Sequence, residues 1–236
     1  MKKTFHPANE RGHNDIGWLK ANFSFSFGPY YNPEKVHFGA LRVLNDDIIA
    51  GGTGFGTHPH DNMEIITIPI SGALEHRDSM GSHGVISAGE VQVMSAGTGI
   101  QHSEFNHSKT DAANTLQIWL FPKEMNIEPR YDQKSFTDSL KPNQFTTLVS
   151  PFKSEDALWI NQDAIFSMGD FDAGKSINYD IKIPGNGAYI FLIEGKVEID
   201  GTVLNKRDAL GVEDISSITI QAEAHSRILI MEVPMR

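Results

Sequence analysis

The chain has 236 residues, a formal net charge of −10, a sequence pI near 5.4 and no cysteine. Without Cys there are no disulfides, thiolate ligands or cysteine nucleophiles, so any metal must be held by nitrogen and oxygen; without clustered Lys and Arg, direct nucleic-acid binding is not expected. No apolar run approaches the length of a membrane span, and Met1–Phe5 is not followed by an apolar signal core, so a cytoplasmic chain with no membrane contact is expected.

In chain order, most segments have strand character. Phe23-Ser24-Phe25-Ser26-Phe27 alternates strictly, the period of a half-buried strand with one aromatic face. Short apolar runs follow at Ala40–Leu44, Ile65–Ile70, Val91–Met94 and Leu116–Phe121, separated by Gly, Asn, Asp and Pro turns. Polar residues and Pro142 interrupt the pattern between Ser135 and Gln144, dividing residues 1–136 from residues 145–236. Beyond the break, Ala188–Ile193, Ile215–Ile220 and Ile228–Val233 resume it, and the stretch from Tyr189 to Gly201 parallels the strand-Gly-strand turn around Gly72. Many short strands at this spacing suggest a sandwich or a barrel, the jelly-roll barrel being the version that encloses a ligand site, and the repeated plan of the second half then reads as an all-β chain of two tandem jelly-roll barrels.

Two short stretches carry chemistry. His58-Pro59-His60 and His102-Ser103-Glu104 each place two metal-binding side chains at positions i and i+2, which face the same way on a strand. Side by side on a barrel wall, such strands aim three imidazoles and one carboxylate at one point. That donor set suits a divalent transition metal: iron, nickel, copper, manganese, cobalt or zinc. Four ligands leave two positions of an octahedron open, the mark of a catalytic rather than a structural metal. Either pair alone is a weak motif. The glycines at 52, 54 and 56 before the first pair, and at 89, 97 and 99 before the second, permit the tight turns that bring short strands together. Aromatic walls are expected from Phe23, Phe25, Phe27, Phe38 or Phe55, with His37 and His76 at the entrance. His6, His13, His83 and His107 read as ordinary polar histidines. The second half holds a single histidine, His225, and no paired ligands. It is expected to be a degenerate barrel that packs against the first.

The glycine-flanked His-x-His, with Glu64 and Gly72 behind it and a second Gly-Gly-His-Asn series ending at Asn106, resembles the two motifs of the cupin superfamily. A longer match is more specific. Ala8–Gly12, Phe25–Phe27 with Tyr30-Tyr31, Ala40–Val43, Gly56–His60, Met94–Ile100 with His102–Glu104, Gln117–Trp119 and Pro129–Tyr131 resemble the pirin family, in its shorter bacterial two-cupin form. The resemblance is dense from about residue 8 to about residue 136 and thin beyond.

The resemblance implies one metal per chain, iron first, on His58, His60, His102 and Glu104. It leaves Glu64 as a wall residue, or as an acceptor for the other N–H of a ligand imidazole. It further implies quercetin 2,3-dioxygenase activity toward a small aromatic flavonol or a similar enol or phenol, with Glu104 also accepting the substrate hydroxyl proton. The alternative it carries is a non-enzymatic, metal-dependent regulator that binds a protein partner.

Overall fold

The computed structural model describes residues 1–235. It is all-β, with one short 3-10 turn at Ala8–Glu10. Four sheets form two sandwiches, each made of a seven-stranded and a four-stranded sheet. In the first half the large sheet runs Arg130–Ser135, Glu90–Ser95, Glu64–Ser71, Ala113–Leu120, Leu41–Ile49, Leu19–Phe23, Gly12–Asp15. Its small partner sheet runs Gly54–His60, Ile100–Asn106, Ala73–Asp78, His83–Ser87. In the second half the large sheet is built around Asn186–Glu194, Ser226–Pro234 and Ile165–Phe171, and the small one around Ser217–Ala222. The two tandem barrels expected from strand spacing are therefore present.

The central strands of the large sheets are buried on both faces, and their sequences show it. Sheets covered on both sides need near-continuous apolar strands, because successive side chains point to opposite faces. In Asn186–Glu194, Tyr189, Phe191 and Ile193 enter a core shared by the two halves, while Ala188, Ile190 and Leu192 fill the second barrel. Glu64–Ser71 divides similarly: Ile66 and Ile68 join the shared core, whereas Thr67 points inward beside Glu104. The two barrel interiors then differ in kind. The second is packed with Val197, Ile199, Leu204, Ile218, Ile220 and Ile228, leaving its centre apolar, and His225 lies on its surface. The first keeps polar side chains inside.

Two expectations fail on long-range pairing. The first strand, Lys2–His6, pairs antiparallel with Ala209–Glu213, so the chain begins on the second half's sheet, not within a unit running from residue 1 to residue 136. The alternating segment Phe23–Phe27 is not one strand. The strand ends at Phe23, and after it Phe25 turns to the opposite side, packing on His6 and Tyr189 in the shared core. Ser24 and Ser26 are buried, not solvent-facing, and Ser26 closes a loop by hydrogen bonding to Asn32.

Glu64 also has a different job from either one expected of it. Its carboxylate is fully buried and accepts hydrogen bonds from the Ser95 hydroxyl (2.8 Å) and from the Asn161 backbone N–H (3.1 Å), linking the first barrel to the second. Neither contact involves an imidazole. Burial pushes its pKa up to about 7, only partly offset by these two hydrogen bonds and by Arg130. The folded state therefore holds this proton more tightly than the unfolded chain. The stabilisation is complete below about pH 4.5 and is lost as pH rises to about 7, amounting to at most about 3 kcal/mol. Urea unfolding at pH 5 and pH 8 should show Glu64→Gln gaining on the wild type by up to that amount at the higher pH. An unchanged difference between the two would show that Glu64 does not titrate in this window.

Candidate metal centre

The small sheet of the first barrel builds the site. Gly54–His60 is its edge strand, pairing only with Ile100–Asn106. An edge tolerates Pro59 between the two histidines, because proline has no N–H to give to a neighbouring strand. In the antiparallel register His102 stands opposite His58, and Ile100 opposite His60. Just beyond, the register slips, so that Glu104 faces Phe55 where a regular ladder would place Gly56. Such a bulge re-aims side chains. Here Phe55 as well as His58 faces the same cavity.

Nitrogens of His58, His60 and His102 lie within 4.8 Å of one another. His58 Nε2 and His102 Nε2 are 3.0 Å apart, and the His60 ring centroid lies 4.9 Å from each of the other two. The Gly56 carbonyl lies 2.8 Å from His58 Nδ1 and can only accept, so Nδ1 is the donor there and Nε2 is the nitrogen turned toward His102. Burial and the neighbouring imidazoles lower His60 to about 4 and His102 to about 2, so both rings are neutral near pH 7. Neutral imidazoles converging on one point are the donor set a transition metal takes.

Glu104 is placed differently from a simple fourth member. Its carboxylate is buried, accepts from Gln117 Nε2 (2.6 Å), and lies 3.2 Å from the Thr67 hydroxyl. It groups within 4.8 Å with His102 and His76, not with the His58–His60 pair. Burial raises its pKa to about 7 against the pull of those two hydrogen bonds. Glu104 and His58 nevertheless line one cavity of about 440 Å³, within the range of small-molecule sites.

That cavity is mainly apolar, with several aromatic side chains in its wall. Phe23, Phe27 and Phe55 line it as expected, joined by Trp18 and Trp119, which the sequence reading did not single out. Trp18 meets Phe55 edge-on at 5.3 Å, and Trp119 meets Phe27 at 5.2 Å and His60 at 4.8 Å. Asn45 and Asp47 supply polar lining, and burial near Asp46 and Glu104 pushes Asp47 up to about 8, so it is mostly protonated at neutral pH. Phe25 and Phe38 do not line the cavity, since both pack against Tyr189 in the shared core. His37 is exposed and lies against Phe121, away from the cavity. His76 is fully buried behind His102, not at an entrance. A larger cleft of about 630 Å³ lies beside Trp159 and Lys123, but no histidine lines it, whereas the smaller cavity borders the grouped imidazoles through His58, so chemistry and not size selects it.

Comparison with known proteins gives the family. A family model described as Pirin matches residues 4–120, and one described as Quercetinase C-terminal cupin domain matches residues 147–233. The chain belongs to the pirin family. It is 41% identical over 227 residues to the quercetin 2,3-dioxygenase of Escherichia coli K12, covering 96% of each chain. A pirin-like protein of Caulobacter vibrioides is also 41% identical, across 96% of this chain and 97% of that one. The crystal structure of the E. coli bacterial pirin YhhW in complex with nickel(II) superposes with a TM-score of 0.93 at 39% identity, covering 99% of both chains. The chain is thus a two-cupin pirin with a cluster of His and Glu side chains able to hold a metal. Among the described residues, no helix is long and apolar enough to cross a membrane.

Proposed function

We propose that this pirin holds one divalent transition metal on His58, His60, His102 and Glu104 and oxidises a flavonol or a similar enolic or phenolic compound, as a quercetin 2,3-dioxygenase does. The observation that carries the reading is the convergence of nitrogens of His58, His60 and His102 within 4.8 Å, beside a cavity whose wall includes aromatic side chains, His58 and Glu104. The donor chemistry fits. Three nitrogens and one carboxylate suit iron(II) and nickel(II) alike, and affinity order alone does not choose between them. Resemblance to the family favours iron, while the E. coli relative was solved with nickel(II). When bound, a redox-active metal supplies electron transfer between an electron-rich substrate and dioxygen.

The protein's own groups do the rest. Trp18, Phe23, Phe27 and Phe55 offer flat apolar faces and edges to a planar polycyclic ring, excluding water from it. Glu104, held by Gln117 and Thr67, sits where it can take the flavonol hydroxyl proton, leaving an electron-rich enolate. Protonated Asp47 and the Asn45 amide provide polar contacts for the hydroxyl groups of such a substrate.

The direct test is oxygen uptake with quercetin, with carbon monoxide measured as the second product. Iron-, nickel-, copper- or manganese-loaded protein is expected to consume oxygen and release carbon monoxide. Zinc, which has no redox chemistry of its own, is expected to support binding without turnover. If no metal form exceeds the metal-free protein with any flavonol, the dioxygenase reading fails. The regulator reading would then take its place, tested by recovering a metal-dependent protein partner from cell extract.

A further inference from the structure

Three adjacent strands of the small sheet each present a same-face pair two residues apart: His58 with His60, His102 with Glu104, and His76 with Asp78. The third pair has no part in the site described so far. In the register of Ala73–Asp78 against Ile100–Asn106, Asp78 stands opposite His102 and His76 opposite Glu104, directly behind the proposed ligands. Both side chains are fully buried.

The contacts form one line. Asp78 Oδ1 accepts the backbone N–H groups of Met80 and Ser82, each at 2.9 Å, which fixes the carboxylate at the turn. Its other oxygen, Oδ2, lies 3.1 Å from His76 Nε2. His76 Nδ1 lies 3.4 Å from His102 Nδ1, and His102 Nε2 faces His58 Nε2. Tyr131 covers the His76 ring at 4.6 Å between centroids, with its hydroxyl donating to Gln133, so the ring is held from the side as well.

Proton positions along this line follow from its end. An ionised carboxylate only accepts, so His76 Nε2 carries a proton and His76 Nδ1 keeps a lone pair. That lone pair accepts from His102 Nδ1–H. His102 Nε2 is then left unprotonated and aimed at the His58 side. We propose that Asp78 and His76 are positioning residues which fix the His102 tautomer and ring orientation, so that Nε2 is presented to the metal. A ligand histidine ordinarily gives its other N–H directly to a carboxylate or carbonyl. Here the carboxylate acts through an intervening imidazole. The inference rests on His102 being a ligand, and its test is arranged to separate the two.

The test uses the full-length protein labelled with 15N in its imidazoles, metal-free and loaded with diamagnetic zinc. Three variants are compared: His76→Phe, which keeps a ring against Tyr131 but removes the acceptor; His76→Asn, which keeps an acceptor close to the Nδ1 position; and Asp78→Asn. In the metal-free wild type, His102 is expected as a single Nδ1–H tautomer, and in His76→Phe as a mixture. Zinc affinity is expected to fall about 10- to 100-fold in His76→Phe and by less in His76→Asn. Wild-type tautomer and affinity in His76→Phe would overturn the proposal. So would a metal-bound nitrogen signature on His76, which would mean that His76, His102 and Glu104 are themselves a ligand set. Should His76→Phe fail to fold, His76→Asn and Asp78→Asn give the same readings, and unchanged values in both overturn it equally. The tautomer measurement needs no metal. Zinc failing to bind at His58, His60 and His102 therefore counts against the proposed metal site, while the relay is judged separately.

Discussion

Replacing His60 or His102 by alanine is expected to lower the affinity for a divalent transition metal by a hundredfold or more, about 3 kcal/mol. Each replacement removes one of three nitrogens that the fold has already brought within 4.8 Å of one another. Metal analysis of protein purified without added metal should give close to one ion per wild-type chain and little in either variant. The β-rich circular dichroism spectrum should persist, because the strands that carry these residues are held by backbone ladders and by cores elsewhere in the molecule. Full occupancy in a His58→Ala/His102→Ala double variant would sink the assignment of the site.

The second large effect is catalytic. Glu104→Gln is expected to reduce flavonol turnover, counted per bound metal, by about 10²- to 10⁴-fold, the usual contribution of a positioned general base. The amide keeps the shape but cannot accept the proton. It also loses the charge that Gln117 and Thr67 now hold in place, so metal content should fall as well, which is why the rate must be normalised to metal. Glu64→Gln is the control. Its carboxylate bonds Ser95 and the Asn161 N–H and touches no imidazole, so metal content and turnover should stay near wild type. The reverse ranking would mean that the glutamate of the first cupin motif is the ligand.

The contrast between the two barrels shows how one architecture separates stability from chemistry. In the second barrel, Ile190, Leu192, Ile220 and Ile230 fill the space that polar groups occupy in the first, giving an apolar interior. In the first, Thr67, Gln92, Thr115 and Glu104 are buried on strands that a purely apolar interior would serve better. Burying polar side chains costs stability unless they are paired. The shared apolar core between the large sheets, with Phe166, Tyr189 and Phe191 on one side and Leu44, Ile66 and Leu116 on the other, is what offsets that cost.

Local periodicity was enough to show that the chain is all-β and that it has two halves of like plan, and the i, i+2 spacing put His58, His60 and His102 on two short strands that the structure brings together. The reason is that i and i+2 share a face on any strand, whatever surrounds it, and that the two ligand strands needed only to be neighbours. The tertiary structure alone decided what depended on distant partners. The bulge that turns Phe55 toward the cavity exists only in the pairing with Ile100–Asn106. Phe25 and Phe38 left the aromatic wall because Tyr189, far along the chain, receives them in the shared core. Glu64 became a link between barrels through a backbone N–H 97 residues away, and Lys2–His6 crossed to the second half's sheet because its edge strand Ala209–Glu213 was open to pairing. His76 and Asp78 had the same i, i+2 spacing as the proposed ligands. Only the register of a third strand placed them behind His102, since side-chain alternation fixes which residues share a face but not which strands lie side by side.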